Sequence, residues 1–502
     1  MTTWDRFLEF PWQTDHPCLD ESDLAIHPAP EYASSEVLVA ALYRRIGMSD
    51  LKERDVPILG RELMRRLEAH KRPEDASLGA EAWSRVLQGA VQSPKLPNQS
   101  QKRFLQLTPL VPEAARVSGS ARLSGQPWSP GNLIERMVMM GSPSRADADA
   151  LWQELFDALS VNSSDDVWAR WLEGELVAWR PDDAQWALVP IKDSSWPSSF
   201  HNEKPPESYP ARQFCRDLVA VLRVKDQMTR RQWITLLESV LRIGAAAHVL
   251  WLCEVNCLGW TYVRSAMRGG EAPPTIYPKR ISYFRYGTAA LDRAKETVAR
   301  YLDARMNINA VLWGLEKIGS PFEIPLSTQD GWEALRAAVN QHKAALIGLD
   351  LAEKVNDLGE SEAKVLNCSK GIGMNMLEFI RHAAGQRQTA QEVMRGYDQG
   401  YCIRKRSNDP RSRWIVAMGP VAVIAMAHCC LFETGGARSV HRLCEHLARY
   451  GIVIGSDEVA SSDLGHQLRL LSLVLDSPDA ESGMLVLPPF DTRAAARPGD
   501  RA

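Results

Sequence analysis

The stretch Ile243 to Val263 (IGAAAHVLWLCEVNCLGWTYV) limits this chain most, because it is apolar over about the length of a membrane span. His248, Glu254 and Asn256 lie inside it. A carboxylate at mid-span costs about 2.5–3.5 kcal/mol on insertion scales. The run also continues from an amphipathic start at Thr229 to Trp233. These features predict a buried core helix and no membrane association. A core able to enclose such a helix needs many partners, and at 502 residues the chain has them.

That length exceeds one ordinary core and predicts three domains. Composition agrees, with 45 % hydrophobic and 24 % charged residues. A formal net charge of -3 excludes a polybasic protein that coats nucleic acid wholesale, but not a local basic surface. Nine cysteines form no CxxC pair, and Met1 to Trp12 shows no secretory pattern, so a reducing cytoplasm is expected.

Pro94 to Asn132 and Asp193 to Pro210 have linker composition, and a third shift falls at Asn356 to Glu362. The expected units are 1–205 and 206–360, both helical, 361–490 with hairpin and winged helix, and a disordered tail from 491. Ser35 to Gly47, Ile58 to His70, Glu81 to Val91 and Ala146 to Leu159 have helical spacing. So do Thr229 to Gly259, Thr288 to Met306 and Gly331 to Leu349. Arg280 to Tyr286 reads either as a strand or as a lead into the next helix. Trp168, Trp171, Trp179 and Trp186 form a cluster that fills a core or stacks bases, the core being the commoner use.

The last quarter is the most informative. Gly400 to Arg406 and Arg413 to Met418 are β-rich around the turn-forming Ser407 to Ser412, which predicts a hairpin. Gly419-Pro420 opens an apolar helix to Phe432. Ser439 to Tyr450 carries Val440, Leu443 and Leu447 on one face and stops at Gly451. A third helix starts at Ser456 and runs through Leu471. Two short β-rich segments follow, around the turn Ser477 to Gly483. Three helices and a strand–wing–strand make a winged helix; a helical bundle closed by a hairpin is the alternative.

A winged helix offers its third helix to the major groove, where Gln467 and Arg469 have the chemistry to read base edges. Asp457, Glu458 and Asp463 on that helix, with Asp476, Asp479 and Glu481 on the wing, would repel phosphates and favour protein contact instead. The hairpin has the opposite sign. Arg387, Arg395, Arg404, Lys405, Arg406, Arg411 and Arg413 face Glu392, Asp398 and Asp409, with Tyr397, Tyr401 and Trp414 interleaved. Cations among aromatics suit a nucleic-acid backbone, while a strand edge guarded by charge would look the same.

Catalytic patterns are weak. His428, Cys429, Cys430, His441, Cys444 and His446 lack usual zinc spacing, and adjacent cysteines in an apolar helix read as buried thiols. Lys370 to Gly373 lacks the full phosphate-loop spacing. Pro478 to Glu481 lacks the lysine of a metal nuclease, and no GxSxG elbow occurs. No enzyme, cofactor or metal site is expected.

With its basic hairpin, Gly-Pro-initiated helix, LxxxLxxYGI helix and DSPDAESGM wing, Tyr397 to Phe490 resembles the C-terminal parts of bacterial phage-defence proteins. The nearest is the non-catalytic G component of phosphorothioation-dependent restriction systems. The likeness covers under a fifth of the chain and carries over no functional residue. It implies a non-enzymatic subunit of a DNA-handling or defence complex that contacts DNA and other protein subunits. The alternative is an adaptor that docks an ATPase or nuclease without binding DNA.

Overall fold

The computed structural model describes residues 2–26, 35–52, 55–72, 74, 78–91, 104–105, 107–120, 130–180, 182–192, 196–202, 209–387, 397–407, 409, 411–475 and 484–491. The protein is mainly α-helical, with short strands. The expected wing, Ser477 to Gly483, and the tail from 492 lie outside the described residues.

Helices α1 (Ser35–Gly47), α2 (Pro130–Gly141), α3 (Pro210–Leu222), α4 (Arg230–Arg268), α5 (Leu291–Lys317) and α6 (Gly371–Ala384) build the body. The 39 residues of α4 span about 58 Å at 1.5 Å per residue. Thr229 and Gln232 close a capping box at its start, and Gly269, at φ +73°, ends it. Among the described helices, α4 alone is long and apolar enough to cross a membrane, and its apolar window is wholly buried inside the fold. Its polar residues are accommodated within that core. Glu254 accepts from the Tyr283 hydroxyl at 3.0 Å, and Asn256 donates to the Leu24 carbonyl at 3.0 Å. His248 differs, because neither ring nitrogen has a hydrogen-bond partner.

Helix α4 touches α1, α3, α5, α6 and the Gln329–Gln341 helix. A Cβ on its Gly259 would sit 2.7 Å from the Trp332 ring, so glycine sets that close approach. One buried cluster runs from Trp4 to Val486 and crosses positions 205 and 360. A second, smaller core joins Leu63, Trp83, Leu110, Val111, Leu172 and Leu176.

Several local expectations need correction. Pro94 to Asn132 is not all linker: a helix, Pro112–Val117, packs Ala114 into the second core. Asp357, Gly359 and Glu360 do not interrupt their helix, which spans Leu351–Ser361, because Leu351, Val355 and Leu358 hold its buried face. The tryptophans do not form one cluster. Trp186 stacks on Phe156, Trp179 pairs with Trp83 under Arg66, and half-exposed Trp168 lies on Trp171.

The ambiguous Arg280 to Tyr286 contains a strand, β1 (Phe284–Arg285). Apart from a two-residue pair, Phe104–Leu105 with Gly119–Ser120, the other described strands are β2 (Ile403–Lys405), β3 (Trp414–Val416), β4 (Arg438–Ser439), β5 (Ile452–Val453), β6 (Val474–Leu475) and β7 (Leu485–Val486). The corresponding helices are α7 (Pro420–Leu431), α8 (Val440–Ala448), α9 (Ser456–Val459) and α10 (Asp463–Leu470). Strands β4, β7 and β6 make an antiparallel sheet in that order, and β2 pairs with β3. The C-terminal order is thus helix, strand, helix, strand, two short helices, strand, strand.

Strand β1 pairs in parallel with β5, so the centre of the chain enters the C-terminal unit. Tyr283 and Phe284 both donate to the Gly451 carbonyl, at 2.8 and 2.9 Å. Gly451 ends α8 at φ +74°, and a Cβ there would lie 2.4 Å from the buried Tyr283 ring. Gly451→Ala is therefore expected to cost about 2–3 kcal/mol, from left-handed strain and overpacking together. A urea midpoint unchanged from the parent would contradict that.

Candidate nucleic-acid interface

The hairpin forms because its turn satisfies its own backbone. Asp409 accepts from the Arg411 amide at 2.7 Å, and Ser412 Oγ from the Ser407 amide at 2.9 Å. Both outer edges are paired in part. Ile403 bridges Gly385, and Ile415 bridges Ala289. The β2 edge is thus paired at Ile403, and the β3 edge along Trp414–Val416.

Pairing fixes where each basic side chain points. Arg404 is half-buried, 3.7 Å from the Asp463 carboxylate at the start of α10. Lys405 is half-buried as well. Arg406, Arg411 and Arg413 stand exposed around the turn, and among the described residues their side chains form no hydrogen bond or ion pair. Arg387 is buried among Glu36, Asp398 and Glu238, and burial lowers its pKa. Arg395 and Glu392 lie outside the described residues.

The expected single third helix is two pieces, α9 and α10. Ser462 breaks the run by accepting from the Gly465 amide, as an N-cap does. Gln467 is half-buried on α10; Arg469 is exposed, with one guanidinium nitrogen 2.8 Å from the Ala460 carbonyl. The carboxylates expected to repel phosphates are in part engaged by arginines. Asp463 faces Arg404, and Glu458 pairs with Arg285 at 3.0 Å. The hairpin turn therefore holds the local positive excess, with only Asp409 against three free guanidiniums. The end of α10 has another character, because Leu470 and Leu475 are 67 % and 52 % exposed.

Behind the hairpin, Asp398 anchors it to α4. Arg242 is fully buried and donates to Asp398 at 2.8 and 3.3 Å, to Glu238 at 3.1 Å, and to the carbonyls of Ala383 and Gly385. Asp398 also accepts from the amides of Arg387 and Gly400. Burial opposes the charge on Arg242, but the two carboxylates outweigh it and raise the pKa. Tyr397 bonds Arg231 and lies against its guanidinium. Beside them opens a cavity of about 590 Å³, lined by Glu36, Met228, Arg231, Glu238, Tyr397 and Phe490 among others.

The Cys/His group is dispersed over separate bonds. His428 lies 2.9 Å from the Ala220 carbonyl and His446 lies 3.0 Å from Asp217, while His441 pairs with Glu445. Burial pushes the Cys430 thiol up to about 12 and that of Cys444 up to about 11. Asp217 also accepts from Tyr450 and Gln213, both at 2.7 Å, which locks α8 to α3.

Sequence reasoning missed Arg242, Asp398, Asp217 and the cavity. Arg242 and Asp398 stand 156 positions apart, and no local pattern joins them. The one available signal was a lone arginine on the apolar face of α4, which needs a buried carboxylate. No protein-family model matches the chain, and no curated protein is significantly similar to it.

Proposed function

We propose that this protein is a non-catalytic subunit of a bacterial DNA-handling or phage-defence assembly and contacts a polynucleotide backbone through its hairpin turn. The observation that carries the reading is the set of Arg406, Arg411 and Arg413, three exposed guanidiniums on a hairpin held at both edges. Charges on a rigid support hold their register along a phosphate chain and lose little freedom on binding. The α7–α10 unit is read as a winged helix from its element order and its three-stranded sheet. In this role Gln467 and Arg469 supply secondary contacts, and Arg404 mainly orients α10 through Asp463. The resemblance of Tyr397 to Phe490 supports the defence setting.

Fluorescence polarisation with short duplex and single-stranded DNA, across a range of salt, tests this. The triple change of Arg406, Arg411 and Arg413 to Ala is expected to weaken binding on the order of tenfold or more. It should also flatten the slope of log K against log salt by about 2.7, from three lost phosphate contacts. Affinity and slope equal to the parent's would remove the hairpin from any such role.

The second reading is an adaptor, favoured by the two exposed apolar side chains Leu470 and Leu475. It predicts instead that Leu470→Asp abolishes capture of a partner subunit while DNA binding is unmoved.

A further inference from the structure

On another side of the C-terminal unit, α3 and α8 enclose a polar notch of about 70 Å³. Arg216 reaches it from α3; Arg442 and His446 reach it from α8 and Arg449 from the C-cap of α8, at spacings of three to four residues. Glu433 and Glu445 complete its rim. We propose that this notch is a binding site for a single phosphate group, independent of the hairpin.

Donor inventory carries the argument. Arg442 gives only Nε to the Cys430 carbonyl, at 2.8 Å, and Arg449 gives one terminal nitrogen to Gln213, at 2.6 Å. Arg216 makes no hydrogen bond or ion pair among the described residues. A guanidinium has five N–H groups, so most of the fifteen or so present have no acceptor in the protein. Two carboxylates share the notch, yet none of the three arginines comes within ion-pair distance of either. Glu445 is instead paired with His441, at 3.2 Å.

Three like charges around one hollow repel each other, and a dianion between them converts that repulsion into attraction. The forked guanidinium matches two oxygens of a tetrahedral phosphate. A hollow of about 70 Å³ has room for one such group. His446 backs the notch and is held in place by Asp217, so the floor is rigid. Guanidiniums on a helix face are usually solvated separately; here they converge on one cavity from two helices.

Titration calorimetry of the full chain with inorganic phosphate, against chloride at equal ionic strength, is the test. The expected result is one saturable site with a Kd on the order of 1 mM or tighter. Arg216→Ala, which breaks no internal bond, should weaken it at least tenfold; Arg442→Lys, which keeps the charge but loses the fork, should weaken it less. Absence of saturable binding, or parent-like affinity in both variants, overturns the site.

The phosphate source is read from duplex DNA binding by the same variants. A matching tenfold loss, with inorganic phosphate competing, places a backbone phosphate in the notch. Unchanged duplex binding with phosphate affinity lost supports a free phosphate or monoester. Loss of duplex binding on the hairpin change with phosphate affinity intact keeps this site apart from the hairpin's role.

Discussion

Arg242→Met is expected to destabilise the protein by about 3–5 kcal/mol, the size of effect seen when one partner of a buried ion pair is removed. Methionine fills much of the same volume but supplies no donors. Asp398 and Glu238 then remain buried without the guanidinium that bonds both, and the carbonyls of Ala383 and Gly385 lose their bonds to it. Total stability for a domain is about 5–15 kcal/mol, so this is a large fraction of it. Adding Asp398→Asn to Arg242→Met should recover part of the loss, because one stranded charge disappears with it. Urea unfolding of the two variants measures both quantities. A single-variant loss under about 1 kcal/mol would mean that the network contributes nothing beyond packing.

His248→Leu, by contrast, should stabilise the fold, and more so in acid. Both ring nitrogens are buried without partners, and each such group costs about 1–3 kcal/mol. Leucine has nearly the same volume and no polar atom. Burial, helped by the charge of Arg136, holds the imidazole pKa down at about 3, against 6.5 in the unfolded chain. The unfolded chain therefore takes up a proton near pH 6.5 that the fold refuses until about 3, and stability falls throughout that window. Removing the imidazole removes this loss, worth about 2.7 kcal/mol at pH near 4.5.

The comparison is best made between variant and parent at each pH, because other groups act as well. His16, lowered to about 4 by burial, acts with the same sign. Glu173, pushed up to about 7 by burial and then by the Glu113 charge, acts with the opposite sign: the fold gains as pH falls through 7. A stability difference that is flat between pH 7 and 4.5 would sink the assignment for His248.

Some of this architecture was readable residue by residue. Glu254 and Asn256 within an apolar run argued for a buried core helix, and both meet polar partners inside the fold. Gly451 and Gly419-Pro420 marked helix limits through backbone chemistry alone. Helical period found most of the α-helices, because a buried face leaves its trace every three to four residues. The break at Ser462 went unseen. A serine inside an apolar period reads as a solvent-facing residue unless its cap bond is known.

Charge was harder to read than pattern. Arg404 and Arg406 are chemically alike and two positions apart, yet one faces Asp463 and the other faces solvent. Alternation alone would put both on one face; Arg404 lies within β2 while Arg406 stands just past its end, in the turn, and the identity of the facing carboxylate is set by tertiary packing. Arg387 was counted with an outward basic face and is instead buried. Composition along a segment therefore overstated the cationic surface, and among its described arginines only Arg406, Arg411 and Arg413 form no side-chain hydrogen bond or ion pair.

The pairing of the hairpin at Gly385 and Ala289, and its anchor at Asp398, has a mechanical consequence. A pull on the turn is not absorbed by a hinge. It passes through backbone bonds into α5 and α6, and through one guanidinium into the first third of the longest helix. Load applied at the turn would therefore be shared at once among three helices of the body.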